Sequence, residues 1–66
     1  MAAPIKISEE QIAFLARFAR RGWMAYPRLD PEEQIAVDLA IRKRWLRREL
    51  SEVQFTRFWH RANGTD

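Results

Sequence analysis

At 66 residues, with no cysteine, a formal charge of +3 and a pI near 10.2, the chain is one domain that holds neither a disulfide framework nor a thiolate metal site. Folding at this size buries only about 60% of the surface the unfolded chain exposes. The eight aromatics (Phe14, Phe18, Trp23, Tyr26, Trp45, Phe55, Phe58 and Trp59) therefore carry much of the core, which a homodimer would enlarge.

The cysteine-free composition suits a reducing interior. The start lacks the apolar stretch of a signal peptide, and no later segment approaches the ~18 apolar residues of a membrane span. A cytoplasmic protein with no membrane partner is expected.

Residues 1–7 read as a short N-terminal arm. Ser8 and Gln11 then form a Ser-x-x-Gln capping box, with Ile7 and Ile12 placed as its hydrophobic staple. Ile12, Leu15, Ala16, Phe18 and Ala19 recur at helical spacing, and Arg17, Arg20 and Arg21 fall on the opposite arc. Gly22 ends this helix, and Trp23 is placed to pack back on Phe18.

After a connector containing Tyr26-Pro27, Asp30-Pro31-Glu32-Glu33 supplies an N-cap, a proline at the first helical position and acids in the first turn. If the second helix runs straight to residue 48, Ile35, Leu39, Leu46 and Leu50 line one stripe and Val37, Ile41 and Trp45 another. Ala36 and Ala40 then lie under a smooth basic arc of Lys43, Arg44 and Arg47.

The last segment admits two readings. Ser51 and Gln54 repeat the capping box, and Phe55, Phe58, Trp59 and Ala62 follow at i, i+3, i+4 and i+7 before Asn63-Gly64, which predicts a third helix. Alternatively, residues 46–56 form a β-hairpin, although neither Leu50 nor Ser51 takes the positive φ of a two-residue turn cheaply. The favoured fold is a compact, mainly α three-helix domain with helices near 9–21, 31–48 and 52–62. The alternative is a minimal winged helix with 46–56 as the hairpin.

Ala40-Ile41-Arg42-Lys43-Arg44-Trp45-Leu46-Arg47-Arg48, followed by Val53-Gln54-Phe55-Thr56, resembles the end of a winged helix-turn-helix domain. In that family a helix closes on a basic corner, a wing follows, and a strand ending in Thr leads to the last helix. Gly22-Trp23 followed by Leu29 is similar to the family's passage from first to second helix. Two features depart from the pattern: only one full helix fits between Gly22 and Trp45, and the Gly expected after the strand's Thr is missing. The resemblance implies DNA binding, with the second helix and the basic corner toward the duplex.

The only histidine is His60, and the only serines, Ser8 and Ser51, are both assigned as caps, so no nucleophile and base pair up. One His without Cys makes no zinc-type ligand set, and no Gly-rich loop exists to cradle a nucleotide. The chain is read as no enzyme, with no catalytic residue, metal or cofactor.

The charge pattern carries the functional reading. Residues 42–48 hold five cations, and ten of the twelve Lys and Arg are Arg, whose planar fork of donors suits phosphate and carboxylate alike. Dipole matching along the second helix accounts for part of the cluster, with acids at its start and cations at its end. Beyond that part, the sequence points to a small DNA-binding regulator in which Arg42, Lys43, Arg44, Arg47 and Arg48 grip the backbone, while Gln54, Arg57 or Arg61 reach base edges from the last helix. The block alone does not separate DNA from RNA. The alternative is a small adaptor or inhibitor that captures an acidic partner protein through Arg and through Trp45, Trp23 and Tyr26, residue types that dominate interface hot spots. Trp59 and Trp23 are read as packed, and His60 as solvated.

Overall fold

A computed structural model of the protein describes residues 5–64, so residues 1–4 of the expected arm lie outside the described residues. Ser8 opens helix α1 (Glu9–Ala19) with both halves of the capping box formed: Gln11 N–H donates to Ser8 Oγ at 3.2 Å, and Ser8 N–H donates to Gln11 Oε1 at 2.9 Å. Ile7 and Ile12 both pack against the core. Gly22 N–H closes the helix on Phe18 C=O at 2.9 Å, and its φ of +86° is a conformation that glycine adopts without strain.

The chain then enters strand β1 (Trp23–Ala25), a 3-10 turn (Tyr26–Arg28) and helix α2 (Pro31–Arg42). Pro31 occupies the first position of α2, and the Asp30 N–H donates to Glu33 Oε1 at 2.9 Å. Strands β2 (Leu46–Glu49) and β3 (Glu52–Phe55) and helix α3 (Arg57–Asn63) complete the domain. The strands form one antiparallel sheet in the order β1-β3-β2, with Met24 opposite Val53 and Leu46 opposite Phe55.

The mainly α three-helix expectation is therefore wrong, and the protein is a small α+β domain. The second helix does not run to residue 48. It stops at Arg42, where Lys43 caps it and Arg44 takes a left-handed φ of +66°. Trp45 N–H then bonds Ala40 C=O and Arg44 N–H bonds Ile41 C=O, both at 2.9 Å, the two bonds of a Schellman motif.

Electrostatics favours this stop. In a continuous helix, Lys43, Arg44, Arg47 and Arg48 would meet at i+3 and i+4, each like-charge pair costing ~0.2–0.5 kcal/mol. A strand instead sends Arg47 and Arg48 to opposite faces of the sheet.

The third helix is likewise shorter than residues 52–62. Ser51 and Gln54 do not cap it, because Val53 and Phe55 follow the two-residue period of a half-buried strand. Thr56 caps α3 instead, its Oγ1 accepting from Phe58 N–H at 3.2 Å. The same hydroxyl donates toward Arg44 C=O at 2.6 Å and Trp45 C=O at 2.9 Å, and Thr56 N–H donates to Trp45 C=O at 2.9 Å.

The core lies between the inner face of the sheet and the helices: Phe14, Leu15, Met24, Ala36, Val37, Ala40, Leu46, Val53 and Trp59 are buried. Ala36 and Ala40 thus sit in the core rather than under a basic arc. The stripe expected along Ile35, Leu39, Leu46 and Leu50 does not exist, since Ile35 is 55% exposed and Leu50 92%. Trp59 is fully buried, with Trp45 and Phe55 edge-on at 5.5 and 5.2 Å between ring centroids. Its Nε1–H meets no acceptor, so packing alone holds the ring.

Thr56 ties the end of α2 to the start of α3 by both its bonds. Thr56→Val keeps the shape and the backbone bond to Trp45 C=O, but removes the cap and the hydroxyl that donates to Arg44 C=O. It is expected to lower stability by about 1–2 kcal/mol, read by denaturant unfolding.

Candidate nucleic-acid interface

The five cations of residues 42–48 are dispersed by the turn at Arg44. Arg42 ends α2 on a shallow surface shared with Ile35, Asp38 and Leu39. Lys43 lies over the Trp45 ring at 4.8 Å. Arg44, Arg47 and Arg48 all border one open groove of about 410 Å³ along edge strand β2, lined also by Ile41, Leu46, Thr56 and Phe58. The groove lies where the end of α2, edge strand β2 and the first turn of α3 meet.

Each wall has a local cause. Arg44 is aimed by its left-handed backbone. Arg48 shares the inner face of the hairpin with Val53, and its guanidinium stacks on the Tyr26 ring at 3.9 Å while Nε–H donates to Leu50 C=O at 2.7 Å. Arg47 projects from the outer face, opposite Gln54, and donates to Gln54 Oε1 at 3.3 Å. Gln54 in turn donates to Glu52 Oε1 at 2.7 Å.

Gln54 therefore lies on the sheet and not on the last helix, whose cations are Arg57 and Arg61. Arg57 lies 5.4 Å from the Phe58 ring centroid, and both Arg57 and Arg61 are exposed.

Among the described residues the ion pair formed is Arg47–Glu49, long at 3.8 Å and about two-thirds exposed on both sides. A pair of this kind contributes little. Aromatic faces, which carry no net charge, receive the cations instead: Arg21 sits 3.9 Å from the Trp23 ring and Arg17 6.0 Å from Phe14. These rings position cations without pairing them to a carboxylate.

Glu49 and Glu52 stand at the hairpin tip, and further acids lie on α2. Glu32, Ile35, Asp38 and Arg42 are exposed along α2, so that flank is mixed in charge and partly apolar rather than cationic. Asp38 accepts from the Tyr26 hydroxyl at 3.0 and 3.1 Å.

The aromatic residues singled out from the sequence divide by role. Tyr26 is half-buried and structural: its N–H donates to Ser51 C=O at 2.8 Å and its C=O accepts from Gln34 Nε2 at 3.3 Å, so it joins the 3-10 turn to the hairpin loop and to α2. Trp45 packs on Trp59 beneath Lys43. Trp23 is 41% exposed on the outer face of the sheet, under Arg21 rather than against Phe18. His60 is half-buried on α3 rather than solvated. Leu50, expected on an apolar helical stripe and considered as a turn residue only in the hairpin alternative, is exposed at the hairpin tip at a φ of +55°.

The site is thus a cationic groove with an apolar floor on a small α+β domain. Compared with known proteins, the chain matches no family model, no curated protein and no solved structure. Among the described residues, no helix is long and apolar enough to cross a membrane.

Two outcomes follow from this geometry. Arg44→Gly removes a Cβ from a left-handed position and is expected to raise stability by about 0.5–1 kcal/mol, or several degrees of Tm in a thermal scan, while subtracting one groove cation.

Desolvation first, then the hydrogen bond to Asp38 and its charge, raise the Tyr26 phenol above its ordinary value of 10.0, against an opposing effect of Arg48. The unfolded chain releases this proton at a lower pH than the folded one. The stabilisation is therefore complete below pH 10.0 and is lost as pH rises through the folded value. Tyr26→Phe is expected to remove that part of the alkaline loss of stability, measured by urea unfolding across the range.

Proposed function

We propose that the protein is a small non-enzymatic nucleic-acid-binding regulator that grips DNA phosphates through the α2–β2 corner and the hairpin. The observation that supports this most is that Arg44, Arg47 and Arg48 border one groove, with a single weak ion pair, Arg47–Glu49, among the described residues. An unneutralised array of guanidinium groups releases condensed counterions when it meets a phosphate backbone. Arg42 and Lys43 flank the groove, and Arg57 and Arg61 extend the cationic surface along α3. In the cysteine-free, reducing setting of the cytoplasm, such a protein acts by occupying or bending its site.

The order helix, basic corner, hairpin, Thr, helix supports the winged helix-turn-helix resemblance as part of this reading. In this proposal the corner and the β2 edge of the hairpin approach the duplex, and the flank of α2 and the hairpin tip stay away because Glu32, Asp38, Glu49 and Glu52 would face phosphates. A second reading, an adaptor or inhibitor for an acidic protein, draws support from the exposed Ile35, Leu50, Trp23 and Phe58.

Titration of labelled duplex DNA across a salt series tests the proposal. DNA binding predicts a steep negative slope of log affinity on log salt, and the triple variant R44A/R47A/R48A is expected to flatten it by about one unit for each phosphate no longer neutralised. Affinity absent even at low salt returns the protein to the adaptor reading.

A further inference from the structure

The hairpin tip breaks two rules of sheet construction at once. Leu50 holds φ +55° at the first position of a two-residue loop, where glycine sits without strain, and its side chain is 92% exposed. Glu49 and Glu52 stand directly opposite each other across the last rung of the ladder, a like-charge placement that destabilises a strand pair.

Relief inside the molecule is slight: Arg47 lies 3.8 Å from Glu49, and Glu52 accepts one bond from Gln54. The tip is nevertheless held rigidly, since Arg48 Nε–H clasps the Leu50 carbonyl and Tyr26 N–H clasps that of Ser51. A rigid protrusion that costs stability and gains nothing locally marks a contact surface.

Its chemistry is an aliphatic knob between two carboxylates. The groove beside α3 has the complementary chemistry: Ile41, Leu46 and Phe58 line it together with the cationic residues Arg44 and Arg47, while the Arg48 guanidinium is held on Tyr26. Arg44, the second non-glycine residue with positive φ, lines that groove, so both strained positions belong to these two surfaces. The exposure of Leu50 shows that the tip does not occupy its own groove.

We propose that the protein self-associates by seating the Glu49–Leu50–Glu52 tip of one copy in the Arg44/Arg47/Phe58 groove of a second. Because every copy carries both halves, a twofold arrangement seats two tips in two grooves and closes the pair. The contact stands independently of the nucleic-acid reading. It uses the same groove, so a phosphate backbone and the tip of a second copy exclude each other.

Sedimentation equilibrium of the whole chain from micromolar to millimolar concentration tests the proposal. Wild type is expected to associate reversibly. Leu50→Gly is expected to fold with an unreduced Tm, because it relieves the positive φ, and yet to associate about tenfold or more weakly.

The charge-reversed variants R44E and E49K/E52K, each monitored by circular dichroism for folding, are expected to be monomeric alone and to associate when mixed. Reversal restores one complementary tip and groove in every mixed contact. A wild type that stays monomeric throughout overturns the proposal, as does a folded L50G that associates as strongly as wild type, or a mixture of the two folded reversals that stays monomeric. Loss of DNA affinity in these variants without change in association bears on the nucleic-acid reading and overturns the shared groove.

Discussion

The left-handed turn at Arg44 is the constraint on which the rest of the molecule depends. It stops α2 after Arg42, redirects the chain into β2 and opens the angle between helix and hairpin that becomes the groove. A non-glycine residue in this conformation costs roughly 1–2 kcal/mol. The two Schellman bonds and the Thr56 hydroxyl hold it in place. Thr56 acts at the junction of three elements: its hydroxyl caps α3, its donors satisfy the carbonyls of Arg44 and Trp45, and the strand it ends carries Val53 into the core.

Aromatic rings, more than carboxylates, organise the charge. Arg48 on Tyr26, Arg21 on Trp23 and Lys43 on Trp45 are each held by a face that attracts a cation without cancelling it. Exposed ion pairs would have ordered the same side chains at the expense of the net field. The Tyr26 stack is also structural, because its hydroxyl engages Asp38 and its backbone engages the hairpin loop. The ring that holds Arg48 is thereby tied to Asp38 on α2.

Local signals in the sequence hold wherever they act alone. Ser8 with Gln11 forms its reciprocal cap, Asp30-Pro31 starts α2, Gly22 ends α1 and Trp59 is core. The capping box at Ser51 and Gln54 is misleading because a competing alternation, Val53 and Phe55 inward with Glu52 and Gln54 outward, gains more from burial than a cap contributes. Of the candidate site, the basic run is visible as composition. The meeting of Arg44, Arg47 and Arg48 is not, because it needs a turn at a position that no glycine marks.

By itself, the sequence determined the size of the domain, its excess of cations, the starts of its first two helices and the aromatic residues of its core, because each depends on composition or on contacts within one or two turns. The tertiary structure alone decided where α2 ends, that residues 46–55 pair as strands, and which cations share a surface. Those outcomes depend on partners more than ten positions apart, Thr56 with Arg44 and Met24 with Val53, whose pairing is worth its local strain only once Trp59 has a sheet to pack against.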